Sequence, residues 1–272
     1  MSVSTPPSII AAIRHCLRPL VRLCLRFGLD YRGLTEILKV QFIAVGEQEI
    51  AGSGHTPSDS RVSLLTGVHR KDVKRLRGIE VNDAELQKRP LSANLISYWI
   101  GTPSLLDAEG NPLAIPRSPT PGFSTSFEEV ARTLTKDVHP RALLDECARQ
   151  GIVRLDHEDM VHLNTDVLIP DQSLDDKAGF FAHAVHDHIA ASGHNLAGGM
   201  PAYLDRHVWY VDLTEADAVK LAAVSEKIAM KALKAVNQHA LELKQASEEN
   251  PESHNTRITF GTYFYNTRES DD

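Results

Sequence analysis

The chain is poor in the features that would brace it covalently or seat it in lipid. Its 272 residues include three cysteines, Cys16, Cys24 and Cys147, with no CxxC pair. That excludes a disulfide framework and the common zinc ribbons, and suits buried thiols in a reducing compartment. Aromatic residues are scarce, at 6%. No run of about 18 apolar residues occurs, so no membrane span is expected. The opening MSVSTPPSII lacks the basic start and small-residue cleavage site of a secretory signal. HExxH, GxSxG, phosphate-loop and dinucleotide fingerprints are all missing. These absences point to a cytoplasmic protein with no cofactor, no resident metal and no enzymatic activity.

Charge, by contrast, is present and unevenly spread. The net charge is −7. Residues 1–90 carry 14 Lys and Arg against 9 Asp and Glu, and residues 91–272 carry 15 against 27. A polyanionic partner would therefore meet the first third of the chain. Positive charge is densest in SRVSLLTGVHRKDVKRLR, Ser60–Arg77, where six residues are basic and only Asp72 is acidic.

Apolar periodicity predicts a mainly helical α+β protein with three parts. The first, residues 8–116, is a helical domain of helix-turn-helix, winged-helix-like type. A helix from Ile9 toward Phe27 would place Ile9, Ile13, Leu17, Leu20, Val21 and Cys24 near one apolar face, with a kink or restart at Pro19. A second, Tyr31–Ile50, capped by Asp30, would bury Leu34, Ile37, Leu38, Gln41 and Val45. Thr56-Pro57-Ser58-Asp59 reads as the start of a third, with Thr56 as cap. Ile79–Pro90 reads as loop, and proline-rich Pro116–Ser124 as a linker. The second part, residues 123–170, orders two amphipathic helices before a β-hairpin around Asp156–Asp159. It reads as another winged-helix-like unit, with Asn94–Gly101 available as its missing helix. The third, residues 171–267, is α+β: a helix from Ser173, a long helix Thr214–Lys244, and an antiparallel pair made by His207–Val211 and Arg257–Tyr265, the two segments richest in strand-favouring residues.

Within Ser60–Arg77, Gly67 falls where a tight turn between two helices needs positive φ. Val62, Val68, Val73 and Leu76 then take the buried positions, and small Ser63 the close crossing. The residues left outward are His69, Arg70, Lys71, Lys74 and Arg75. Arg61 and Arg77 are the next candidates, as phosphate contacts. A helix fits the major groove of duplex DNA, arginine pairs with guanine edges, and both cations neutralise phosphate. Double-stranded DNA is the partner this pattern implies. Two other readings of the same charge remain open. The basic helix can be a solvated face, or the docking face of a non-enzymatic scaffold that binds an acidic protein. The stripe Arg14, Arg18, Arg22 and Arg26 reads as an exposed face paired with Glu36, Glu47 or Glu49.

TPSDSRVSLLTGVHRKDVKRLR, together with LRPLVRLCLRFGLDYRGLTEILK, DVHPRALLDECARQGIV and RITFGTYFY, resembles an uncharacterised bacterial family known only as a domain of unknown function. More broadly, TGVHRKDVKRL is similar to the turn and recognition helix of bacterial winged-helix regulators. The resemblance implies transcriptional control, and it carries over no catalytic residues. Such regulators are often two-fold dimers, so a homodimer is implied through function.

One further cluster stands out: HAVHDHIAASGH holds His183, His186, Asp187, His188 and His194. The residue types suit a transition metal, but the spacing matches no known ligand pattern. The expectation is a polar helix face.

Overall fold

The computed structural model describes residues 5–79, 91–108, 110–164, 174–247 and 256–267. The chain divides into two compact units, Met1–Asn82 and Asp83–Asp272.

Among the described residues the first unit holds four helices: α1 (Pro7–Arg26), α2 (Tyr31–Gly52), α3 (Asp59–Thr66) and α4 (Arg70–Leu76). Local chemistry sets their starts. Asp30 accepts a hydrogen bond from the Gly33 amide at the head of α2, 2.8 Å. Ser58, rather than Thr56, caps α3 by accepting from the Arg61 amide. α1 runs through Pro19 without restarting. α2, α3 and α4 pack on one another around Ile43, Ile50, Val62, Val73 and Leu76, with Val68 half-buried beside them. Each fully buried aliphatic side chain contributes about 1.5–3 kcal/mol relative to exposure.

The side of α2 that packs is not the side the sequence suggested. Ile43, Gly46 and Ile50 are buried, whereas Ile37, Leu38 and Val45 are exposed. α2 is apolar on two sides, and periodicity alone cannot choose between them. α1 buries no residue, and Ile13, Leu17, Leu20 and Val21 all face solvent.

The second unit begins earlier than expected. α5 (Leu91–Gly101), the strand β1 (Ile115–Pro116), α6 (Phe127–Leu134), α7 (Pro140–Arg149), β2 (Val153–Leu155) and β3 (Met160–Leu163) follow in order. The antiparallel sheet runs β1-β3-β2, with Ile115 opposite Val161 and Val153 opposite Leu163. Residues 91–116, assigned to the N-terminal domain from sequence, thus share this unit's sheet and its core of Leu95, Trp99, Phe127, Leu144, Cys147, Ile152 and Val161. Pro116–Ser124 is not an interdomain linker. The Arg117 amide donates to the Asp159 carbonyl, and its side chain pairs with Asp159 at 3.0 Å. Ser126 and Glu129 close a reciprocal cap on α6. Positive φ at Asp159, 62°, turns the β2–β3 hairpin.

Two long helices complete the unit, α8 (Leu174–Leu196) and α9 (Glu215–Ser247). α9 lies on α5, where Asn237 Nδ2 donates to the Ser97 carbonyl at 2.7 Å and Leu241 closes over Gly101. The expected antiparallel strand pair does not form. His207–Val211 and Arg257–Tyr265 are in no ladder. Arg257 and Thr259 bond to Asp187 of α8 instead, and the chain just before His207 is held to α8 through Tyr203 and Asp205. Strand propensity measures fit to a pleated, half-buried surface; it does not guarantee a partner strand. The expected loop at Ile79–Pro90 lies outside the described residues from residue 80 onward. Among the described residues, no helix is long and apolar enough to cross a membrane.

Candidate nucleic-acid interface

The candidate interface is built on the turn between α3 and α4. Gly67 ends α3 in the left-handed conformation, φ 75°, which a Cβ would strain. The Ser63 hydroxyl donates to the Val68 carbonyl, 2.7 Å. Thr66 Oγ1 donates to the Val62 carbonyl, 2.7 Å, and accepts from the Val68 amide, 3.2 Å. These bonds lock the corner. Val73 and Leu76 then draw one side of α4 into the core, and the opposite side is left in water.

The seven sequence-predicted residues separate into four groups. Arg70, Lys71 and Lys74 are exposed on α4, and no ion pair to any of them occurs among the described residues. His69 serves α4 itself: its Nδ1 accepts from the Lys71 amide at 3.2 Å. Arg61 is exposed on α3 and donates from Nη1 to the Thr56 carbonyl, 3.0 Å, an uncharged partner.

Arg75 and Arg77 are not free cations. Arg75 Nη2 lies 2.7 Å from Glu36 and 2.8 Å from Asp72. Lys39 joins the same cluster, 2.7 Å from Glu36 and 3.1 Å from Asp72. Hydrogen bonds from Lys39 and then Arg75 hold the Glu36 carboxyl below its ordinary pKa. Those from Arg75 and then Lys39 do the same for Asp72. Arg77 meets Glu47 through Nε and Asp59 through Nη1, and donates from Nη2 to the Pro57 carbonyl, 2.6 Å. Glu36 and Glu47 therefore serve the α4 end of the unit, not the arginine stripe of α1. Sequence reading missed these carboxylates as partners because their positions relative to α4 depend on how α2 and α3 fold back on it.

Among the described residues of 91–163 the exposed charges are mixed in sign. On α7, Arg149 pairs with Glu146 at 2.5 Å, and Arg141 shares the exposed side with Asp145 and Glu146. The β2–β3 turn is acidic, with Asp156 fixed to His162 at 2.6 Å.

The histidine cluster of α8 does not converge on one point. His186 pairs with Asp187 at 2.9 Å, and His188 lies 3.6 Å from Asp205. His194 contacts the Pro201 carbonyl at 3.1 Å. Among the described residues, no group of three or more His, Cys, Asp or Glu side chains is placed to hold a metal ion.

No curated protein and no solved structure matches the chain. A family model described as a family of unknown function, DUF6502, matches residues 7–272, and the chain belongs to that family.

Proposed function

We propose that the protein binds double-stranded DNA through α4 and acts as a transcriptional regulator, by binding and not by catalysis. In this reading α3, the Gly67 turn and α4 form a helix-turn-helix. Arg70, Lys71 and Lys74 face the duplex, and Arg61 adds a phosphate contact. The observation that carries the reading is selective neutralisation. The unit ties Arg75 and Arg77 to carboxylates and leaves three adjacent cations of α4 in water. Such cations gain most from a polyanion, whose condensed counterions they release. The helix, strand, helix, helix, strand, strand order of residues 91–163, with sheet order β1-β3-β2, supports reading that segment as a winged helix. Its mixed-charge α7 gives it a structural or protein-facing role instead of a groove contact.

A gel-shift titration at low salt tests the proposal. The Arg70→Ala/Lys74→Ala variant keeps its fold and loses duplex affinity; equal binding by both proteins rejects the assignment.

The pairing of Arg75 and Arg77 also favours a second reading, in which a smaller basic face docks an acidic protein. Duplex DNA added in competition separates the two. A DNA-binding α4 releases such a partner, and a protein-only face keeps it.

A further inference from the structure

The two segments richest in strand-favouring residues are the two that lack a strand partner. Neither has regular secondary structure; the second is pinned to α8 directly, and the first follows immediately on two anchors there. Tyr203 exchanges hydrogen bonds with the Asn195 amide group, 2.8 and 3.1 Å, and Asp205 accepts from the Ser192 hydroxyl at 2.7 Å. Arg257 grips Asp187 through both terminal nitrogens, 2.6 and 2.8 Å. Beyond these anchors Tyr263 meets the His188 ring at 5.7 Å and Phe260 is half-buried, but most side chains of both segments face solvent. Val208, Trp209 and Tyr210 are 86%, 81% and 74% exposed. Among the described residues, no backbone–backbone hydrogen bond reaches 207–211 or 257–265.

We propose that a second copy of this chain supplies the missing ladder, its own 207–211 and 257–265 segments pairing with those of the first. Three observations favour a second copy as the occupant. Free sheet edges in soluble proteins are blunted by Lys, Pro or inward charge, yet HVWYV and RITFGTYFY contain no Lys, Asp, Glu or Pro and only Arg257 as a cation, which is already paired with Asp187. Each chain carries two such segments, so a two-fold pair matches every edge with an edge of the same chemistry and closes. The exposed apolar side chains of the two segments amount to roughly 1,000 Å² per chain, against about 800 Å² per partner in a standard interface. The inference stands on these segments alone and does not depend on the DNA reading.

Sedimentation and light scattering of the full chain over a range of concentrations give the test. A particle of twice the 30.0 kDa chain mass is expected, with slow amide exchange in 207–211 and 257–265. Proline suits an exposed extended segment whose amide is unbonded but breaks a ladder. Tyr210→Pro therefore keeps the helical circular dichroism and weakens association at least about 30-fold. Trp209→Lys, which leaves the backbone unchanged, acts in the same direction. A monomer at every concentration, an open-ended larger assembly, fast exchange in both segments of the wild type, or a dimer indifferent to both substitutions would each overturn the proposal.

Discussion

Arg75 and Glu36 are 39 positions apart in sequence and 2.7 Å apart in space. That contact divides the basic surface of α4 into a part the fold uses and a part it leaves over. Substituting Arg75 should therefore affect duplex binding less than substituting Lys74, although both are basic residues of the same short helix. Glu36→Gln makes the sharper prediction. It removes a carboxylate from between Lys39 and Arg75, adds one unit of positive charge near α4, and should tighten duplex binding. If one released cation reaches a phosphate, the slope of log K against log salt steepens by about 0.9. Anisotropy titrations at several salt concentrations measure both effects, and weaker binding by Glu36→Gln would contradict the division.

Gly46 sits where α3 presses closest on α2. A Cβ there would come 2.6 Å from Thr66 Cγ2, and Thr66 cannot rotate away without giving up its two hydrogen bonds at the corner. Alanine gains up to about 1 kcal/mol over glycine inside a helix, while overpacking costs about 1–3 kcal/mol. The clash should win. Gly46→Ala is expected to lower stability by about 1–2 kcal/mol in urea unfolding, and adding Thr66→Ser should restore much of it. A Gly46→Ala protein more stable than wild type would contradict this packing.

The β2–β3 hairpin carries an acid-sensitive latch. Asp156 accepts from His162 and from the Met160 and Glu158 amides. These bonds, led by His162, pull its pKa from 3.8 down to about 2. A depressed carboxyl stabilises the folded state above its unfolded pKa and loses that contribution as protons return. The latch is thus intact at neutral pH and fails between about pH 4 and pH 2. Asp156→Asn should remove part of the stability lost across that window, measured by unfolding at pH 6 and pH 2. An unchanged pH dependence would argue against the latch.

Burial pushes the Cys147 thiol up to about 12, while Cys16 is exposed on α1. Since the thiolate is the reactive form, a thiol reagent at pH 8 should modify Cys16 quickly and Cys147 only in denaturant. Peptide mapping after labelling reads this directly, and early modification of Cys147 would show that the second core opens.

The parts of the fold legible in sequence were those decided within a few residues. The Gly67 corner, the burial of Val62, Val73 and Leu76, and the hairpin at Asp156–Asp159 all follow from local pattern and turn chemistry. What sequence hid were choices made at a distance. The apolar residues on two sides of α2 do not say which side meets α3. Nothing near Arg77 announces Glu47 and Asp59. Ile115 gives no sign that it will pair with Val161, and so residues 91–116 were placed with the wrong unit. His207–Val211 and Arg257–Tyr265 read as a strand pair and form no strand, because propensity carries no information about the partner.

The central claim is that the free cations of α4 meet phosphate. Its most direct measurement is the salt dependence of duplex affinity for the wild type and for Arg70→Ala/Lys74→Ala. Loss of two phosphate contacts should weaken binding and flatten the slope of log K against log salt by about 2. Matching affinities and matching slopes in two folded proteins would contradict it.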